Sequence, residues 1–405
     1  MRRLDTVSVI GLGYIGLPTA LVLAQSGFQV CGVDIDPAVL ANLALGKADT
    51  TEPGLKPLLQ DCLASGRLCL SDEPAGADAY ILAVPTPLDK TTHTADLTAL
   101  FAATRAVAPH LRAGGCIAVE STIPPGVTKQ VTALLATLRP DLRFPPQDSP
   151  DIAIAYCPER VLPGRIIEEL RQNDRIIGGL TPECAAQVAR IYTAFCRGNC
   201  HQSDARTAEI TKLAENAYRD VNIAFANELS LICDAHGANA HEVIALANHH
   251  PRVGILSPGA GVGGHCIAVD PWFLIGSAPE NATLLRSARA VNDAKPEFIL
   301  RQIRERLRTG AEHVALYGLS YKPESSDLRE SPAVRIALEL LHTHAGPISV
   351  VEPHIDRLPE ALDRTTLINH PPKGADIHVL LTPHPAFRTL DMQGKTFIDP
   401  TGMWG

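Results

Sequence analysis

The residues best suited to chemistry lie in one glycine-rich stretch, Pro258-Gly259-Ala260-Gly261-Val262-Gly263-Gly264-His265-Cys266-Ile267-Ala268-Val269-Asp270-Pro271-Trp272. Four glycines in the six positions 259–264 argue against a stable helix or a well-packed strand. Glycine serves where backbone takes positive φ or must lie close against another group. The stretch therefore offers a thiol nucleophile at Cys266, a histidine before it, a carboxylate four residues on at Asp270, and bare backbone for a ligand. Taken alone it fits equally well a surface loop with an inert thiol. Upstream, Lys212, Asn216 and Arg219 recur at i, i+4 and i+7 and so share one stripe of a helix. Taken alone, that stripe is more simply a solvated polar face.

These residues need elements to position them. From Asp204 to His236 there is no Gly or Pro, and Gly237 is a natural stop. This predicts one helix near 50 Å long, at about 1.5 Å per residue, a spine linking two domains. Leu213, Ala217, Ala224 and Leu231 give it an apolar side for core or dimer contact. A short helix is expected from Ala240 to Asn248. His249-His250-Pro251-Arg252 then leads into the glycine stretch. The adjacent histidines lack an acidic or thiol partner at helical spacing, which favours a structural or anion-contacting role over a metal. A further helix is expected over Asn281 to Arg308, with Pro296 as a kink or break.

The N-terminal part reads as alternating strand and helix. Val7-Ser8-Val9-Ile10 is a buried strand, and Gly11-Leu12-Gly13-Tyr14-Ile15-Gly16 opens a helix running to about Gln25. A second strand, Gln29 to Val33, ends in Asp34. GxGxxG between strand and helix, with an acid about 20 residues on, is the dinucleotide-binding pattern. Its glycines admit a pyrophosphate to the helix N-terminus. Asp34 suits ribose hydroxyls and repels a 2′-phosphate, which favours NAD over NADP. Strands at Asp78–Val84 and Cys116–Val119 end in Pro85-Thr86-Pro87 and Glu120-Ser121-Thr122-Ile123-Pro124-Pro125-Gly126. Ligands of open α/β sheets sit beyond strand carboxyl ends, so Thr86 and Thr122 are placed to touch the cofactor; ordinary turn chemistry explains either alone. Ile152–Tyr156 is a strand followed by Cys157-Pro158-Glu159-Arg160-Val161, whose Glu159 and Arg160 face the same side. Arg175–Gly179 reads as the last strand of this domain. A second α/β unit opens at His313–Gly318, with Lys322 and Arg329 in its first loop, where a phosphate can be held. Ser331-Pro332 begins a helix, and Ser349–Glu352 and Ile377–Thr382 are further strands.

Composition sets the bounds. A chain of 405 residues is too long for one core. Net charge of −8 argues against nucleic acid or an anionic membrane as the main partner. The ten cysteines include no CxxC pair. Cys196 and Cys200, followed by His201, read as a thiol-containing loop without enough ligands for a metal. Scattered free thiols suit a reducing cytoplasm. Arg2-Arg3 mimics a signal peptide, but Asp5 and the glycines at 11, 13 and 16 interrupt it. No apolar run is long enough for a bilayer.

The chain is identified as similar to the nucleotide-sugar 6-dehydrogenases through GLGYIGLP, AVPTP, ESTIPPG, YCPERVLPG, KLAENAYRDVNIAFANELS, HPRV, PGAGVGGHCIAVDPWF and GLSYKPESSDLRESPA, in that order. The resemblance covers essentially the whole chain. It implies an α/β protein of two Rossmann-like domains with parallel sheets, joined by a long central helix and a helical dimerisation region. The expected domains are 1–203 for NAD, 204–309 for the central helices and cysteine loop, and 310–405 for the UDP-sugar. The implied reaction is NAD-dependent four-electron oxidation of a UDP-sugar C6 alcohol to a carboxylate. The GGHCIAVDPWF form resembles the branch that takes UDP-N-acetyl-D-mannosamine; UDP-N-acetylglucosamine and UDP-glucose are the alternatives, and a one-step hydroxyacid-type dehydrogenase is the remote one.

By resemblance, Cys266 is the nucleophile and Lys212 the proton donor and acceptor, with Asn216 beside them; the chemistry of thioester hydrolysis makes Asp270 and Glu159 candidates to activate water. Gly11, Gly13, Tyr14, Ile15, Gly16, Asp34, Pro85, Thr86, Thr122 and Arg329 match NAD positions. Arg160, Val161, Lys212, Asn216, Arg219, His250, Arg252, Gly263, Tyr321 and Lys322 match substrate positions. The residue matching Arg252 reaches a neighbouring subunit's substrate in related enzymes, which implies a homodimer through the long helix. No metal is implied. One departure stands out: an Asp-x-Arg near the C-terminus of many relatives is Asp399-Pro400-Thr401-Gly402 here.

Overall fold

The computed structural model describes residues 4–48, 52–147, 149–310 and 312–404; Arg2 and Arg3 lie outside them. The chain divides into two compact units, Met1–Ala214 and Glu215–Gly405.

In the first unit the elements run β1 (Thr6–Ile10), α1 (Gly16–Gln25), β2 (Gln29–Val33), α2 (Pro37–Ala44), α3 (Leu55–Ala64), β3 (Leu68–Ser71), β4 (Ala79–Leu82), α4 (Thr98–Val107), β5 (Gly115–Val119), α5 (Val127–Leu138), β6 (Ile152–Tyr156), α6 (Ile166–Gln172), β7 (Arg175–Gly179), α7 (Pro182–Tyr192) and β8 (Cys200–Asp204). The sheet order is β3-β2-β1-β4-β5-β6-β7-β8. β1 pairs in parallel with β2 on one side and β4 on the other. That reversal of strand order at β1 creates the crevice in which α/β sheets bind ligands. β4, β5 and β6 are buried along their whole length, as expected where helices cover both faces of a parallel sheet.

Two departures from the sequence reading occur at the far edge. β7 runs antiparallel to β6, so the sheet is not wholly parallel. β7 is also not the last strand: Cys200–Asp204 pairs with it in parallel as β8, so Cys200 belongs to a strand and not to the loop expected there. β8 escaped notice because Cys-His-Gln-Ser-Asp carries no apolar alternation, and the ladder that pairs an edge strand leaves no mark in its sequence.

α8 (Ala205–Ala235) begins in the first unit and ends in the second. Leu213, Ala217 and Ala224 are buried along it as their spacing predicts. The second unit continues with α9 (Ala240–Ala247), α10 (Asp270–Ser277), α11 (Thr283–Arg306), β9 (Val314–Tyr317), α12 (Pro332–Thr343), β10 (Ile348–Val351), β11 (Thr366–Ile368), β12 (Ile377–Leu380) and β13 (Phe397–Ile398). α11 continues through Pro296 without a break. The sheet order β11-β10-β9-β12-β13 is parallel throughout and repeats the central order of the first unit. Ser331 caps α12 by accepting the Ala333 N–H, with Pro332 at the first helical position. Asp399, in the departing C-terminal motif, closes its own turn: its carboxylate accepts the N–H groups of Thr401, Gly402 and Trp404.

Candidate functional site

In the first unit the glycine turn after β1 is shaped for a pyrophosphate. Gly11 has φ +91°, and a Cβ there would lie 2.6 Å from the Ala83 carbonyl oxygen. A Cβ on Gly16 would collide with the Gly11 carbonyl. A Cβ on Gly13 would meet nothing within 4 Å, so the open space lies above the turn, at the start of α1. Two glycines let the chain close on itself and the third faces the space a phosphate needs. Asp34 braces the turn by accepting the Leu12 N–H at 2.8 Å and the Asp36 N–H at 3.0 Å. It stays half-exposed, with lone pairs left for ribose hydroxyls. These residues fit NAD. Tyr14 is exposed beside the turn and Ile15 half-buried. Thr86 and Thr122 meet: the Thr86 hydroxyl donates to the Thr122 carbonyl at 2.6 Å, so the Pro85-Thr86 loop and the loop after β5 form one rim.

Behind that rim lies a buried charge cluster that sequence reasoning saw only in part. Glu159 Oε2 accepts from Arg175 at 2.6 Å, and Glu159 Oε1 accepts the Arg160 N–H at 2.7 Å. Arg175 lies 3.8 Å from Glu120, which also accepts from Tyr192 and Thr19. Two carboxylates share one guanidinium. Burial pushes the Glu120 carboxyl up to about 7, with the charge of Glu159 adding to it; Arg175 and the two hydroxyl donors oppose the rise. Glu159, expected as a water activator, has the geometry of a loop anchor. The Arg160 guanidinium donates to the Asp174 carbonyl, and Val161 packs at the edge of the apolar core.

Lys212 is buried on α8. One turn before it, Glu209 caps α5: its carboxylate accepts the Gly126 N–H at 2.5 Å, the Thr128 N–H at 2.9 Å and the Thr128 hydroxyl at 2.5 Å. This carboxylate at a helix N-terminus locks the loop carrying Thr122 to the helix carrying Lys212. Sequence reasoning missed it, because a glutamate on a long helix reads as solvated face.

In the second unit the glycine stretch forms the turn before α10. Cys266 is exposed and its carbonyl accepts the Val269 and Asp270 N–H groups, closing the turn. Asp270 is buried at the first position of α10, and Asn216 donates to it at 2.6 Å. The cysteine turn is therefore tied to α8 by two of the expected site residues. The turn is also seated on the loop after β9. A Cβ on Gly264 would lie 2.7 Å from the Tyr321 ring, one on Gly263 would collide with the Glu330 carbonyl, and the Gly264 N–H donates to the Arg329 carbonyl at 3.3 Å. Gly264 is needed because the Tyr321 ring occupies its side-chain space, and Gly263 because the Glu330 carbonyl and Pro332 occupy its own. Burial, with Asp327 and Cys266 adding, pushes the Tyr321 phenol up to about 12; Arg329 and Arg219 pull the other way. Lys322 lies 5.8 Å from the Tyr321 ring centre. Arg329 pairs with Asp327 at 2.6 Å, and His265 lies 3.9 Å from the same carboxylate. Arg219, His250 and Arg252 are exposed, and His250 Nδ1 accepts the Arg252 N–H at 3.3 Å.

None of the ten cysteines is in a disulfide. Among the described residues, no group of three or more His, Cys, Asp and Glu converges as a metal site, and no helix is long and apolar enough to cross a membrane.

Three family models match in succession. They are described as the NAD binding, central and UDP binding domains of the UDP-glucose/GDP-mannose dehydrogenase family, over residues 5–196, 206–294 and 315–404. The chain is 51% identical to an NDP-N-acetyl-D-galactosaminuronic acid dehydrogenase of Ralstonia nicotianae, over 98% of this chain and 96% of that one. It is 45% identical to a UDP-N-acetyl-D-mannosamine dehydrogenase of Escherichia coli, over 98% and 99%. Among solved structures it resembles a UDP-D-ManNAc dehydrogenase from Pyrococcus horikoshii, with a TM-score of 0.89 and 36% identity over 99% of this chain and 96% of that one.

Proposed function

As the chain belongs to the UDP-glucose/GDP-mannose dehydrogenase family and is an NAD-dependent nucleotide-sugar dehydrogenase, we propose that it oxidises the C6 alcohol of UDP-N-acetyl-D-mannosamine to the carboxylate, with Cys266 as covalent nucleophile. The observation that carries the reading is the cysteine turn: an exposed thiol on glycine backbone, braced by Asp270–Asn216 on one side and Tyr321 on the other.

Two NAD, bound one after the other with the first NADH leaving in between, would supply one hydride acceptor for each of the two oxidations. Lys212 takes the proton of the C6 hydroxyl as the alcohol becomes an aldehyde. The Cys266 thiolate adds to the aldehyde carbon, forming a thiohemiacetal that stays on the enzyme. Loss of a second hydride from that carbon, with the hydroxyl proton passing to Lys212 once it has released the first, gives a thioester. Water attacks the thioester carbonyl, the C–S bond breaks, and the carboxylate leaves with Cys266 restored. Asn216 and Asp270 orient the turn and the attacking water, with Glu159 holding the Arg160 loop. Arg160, Val161, Arg219, His250, Arg252, Gly263, Tyr321 and Lys322 form the sugar-nucleotide contacts, whose cations answer the diphosphate despite the net charge of −8. Gly11, Gly13, Tyr14, Ile15, Gly16, Asp34, Pro85, Thr86, Thr122 and Arg329 hold NAD.

A homodimer is part of the reading. Tyr218, Phe225 and Ile232 are 70%, 54% and 52% exposed at seven-residue spacing on α8, the pattern of a helix seam awaiting a partner. Ten cysteines with no disulfide among them suit a reducing cytoplasm.

The galacto-configured N-acetylhexosamine is a second reading, favoured by the relative at 51% identity. The test measures NADH formed per sugar consumed with each UDP-N-acetylhexosamine separately. Two NADH with the manno sugar alone supports the first reading, and two with the galacto sugar alone the second. One NADH per sugar would refute the covalent route.

A further inference from the structure

The second unit repeats the opening of the first, and the repeat isolates a difference. After β1 the turn Gly11-Leu12-Gly13 is braced by Asp34 at the end of β2. After β9 the turn Gly318-Leu319-Ser320 is braced by Glu352 at the end of β10, which accepts the Leu319 N–H at 2.7 Å and the Ser320 N–H at 3.2 Å. Asp34 is half-exposed, but Glu352 is fully buried, and its other oxygen accepts the His354 N–H at 3.0 Å. The carboxylate of the second unit is thus withdrawn from ribose recognition and given to the backbone.

His384, fully buried just beyond β12, completes the cage. Its Nε2 lies 3.2 Å from Glu352 Oε2 and 3.2 Å from Ser320 Oγ, and its Nδ1 is 3.1 Å from the Glu324 amide nitrogen. A backbone N–H only donates, so Nδ1 carries a lone pair. A carboxylate only accepts, so Nε2 carries the proton. The partners dictate a neutral Nε2–H imidazole. Ser320 Oγ then accepts from His384 and donates to the Lys322 carbonyl at 2.8 Å. One ring therefore ties Leu319 and Ser320, through Glu352, to Glu324, which sits at φ +54°, a conformation a non-glycine residue holds only under constraint. Tyr321 and Lys322 lie between these two tie points.

We infer that His384 is a positioning residue for the nucleotide: without touching the ligand, it holds the Leu319–Glu324 turn so that Tyr321 and Lys322 meet the UDP moiety. The inference rests on the reading that the second unit binds UDP. The full-length enzyme is titrated calorimetrically with UDP and, separately, with NAD, for wild type, His384→Gln and His384→Asn. Gln replaces the Nε2 donor and Asn the Nδ1 acceptor, so each keeps one tie and loses the other. In both, the UDP dissociation constant should rise about tenfold, the equivalent of about 1.4 kcal/mol, while NAD affinity stays within twofold. UDP affinity unchanged in a folded variant, or UDP and NAD affinities falling together, overturns the inference. If neither variant folds, Ser320→Ala keeps the imidazole and removes only its link to the Lys322 carbonyl. A UDP affinity weakened severalfold in that variant supports the inference, and an unchanged one overturns it. Wild type that fails to bind UDP would instead overturn the functional reading, so the two failures are distinguishable.

Discussion

Replacing Glu209 by alanine should loosen the loop that carries Thr122 far more than a surface glutamate would. The side chain is buried and accepts two backbone N–H groups and one hydroxyl at the start of α5. Truncation leaves the Gly126 and Thr128 N–H groups without an acceptor, and each orphaned buried donor costs about 1–3 kcal/mol. The Thr128 hydroxyl can rotate to another acceptor, so it adds little. The expected loss is about 3 kcal/mol in the local opening of this helix end. At about 1.4 kcal/mol per factor of ten, amide exchange at residues 126–128 should accelerate about 100-fold. Hydrogen exchange read by mass spectrometry on peptides covering 124–131 measures this directly. Glu209→Gln keeps one acceptor oxygen and should give an intermediate rate. Because Lys212 sits one turn along α8, the alanine variant should also lose turnover. A natively folded Glu209→Ala protein with exchange within threefold of wild type would refute the capping argument.

Cys266→Ala should abolish acid formation while UDP and NAD titrations stay within about twofold; normal turnover would eliminate the covalent route. Gly16→Ala drives a Cβ into the Gly11 carbonyl, and NAD affinity measured by fluorescence titration should fall on the order of 100-fold, with UDP affinity retained. Glu120→Gln should change how stability depends on pH. The folded carboxyl titrates near 7, above the ordinary carboxylate value, mainly through burial. The folded state then holds a proton that the unfolded chain has released, so wild-type stability falls as pH rises from about 4.3 towards 7. Thermal unfolding across that range should show a flatter slope in the glutamine variant; parallel slopes would count against a protonated Glu120.

What was legible in the sequence is what depends on local chemistry. The turn Gly11–Gly16 could be read because its three glycines answer requirements imposed within a few residues, and Asp34 because the strand spacing puts it at the same turn. The span of α8 was legible because no Gly or Pro interrupts it. Long-range polar pairings were not legible. Glu159 was named for chemistry, yet its nearest cation, Arg175, comes from another strand 16 residues on, and its effect on Glu120 arises only once three elements meet. The glycines of the cysteine turn were noticed as bare backbone; that Tyr321 demands the bareness of Gly264 is a fact of packing across 57 residues.

The comparison of Asp34 with Glu352 shows where sequence reading has to stop. Both acids follow the second strand of a β-turn-α unit, and by position alone both are ribose ligands. Their difference lies in the residue beyond the fourth strand in each sheet order. In the first unit that region contributes Thr86, which donates to a neighbouring carbonyl and leaves Asp34 half-exposed. In the second it contributes His384, which reaches back to Glu352 and seals it from solvent. Burial opposes ionisation of Glu352, but the His384 imidazole and the N–H groups of Leu319 and His354 outweigh it and hold the carboxyl below its ordinary range. An anion buried and bonded in this way is out of reach of a dinucleotide's ribose. The same β-turn-α plan therefore leaves the acid half-exposed at the turn of one unit and, in the other, seals it beneath the turn that carries Tyr321 and Lys322.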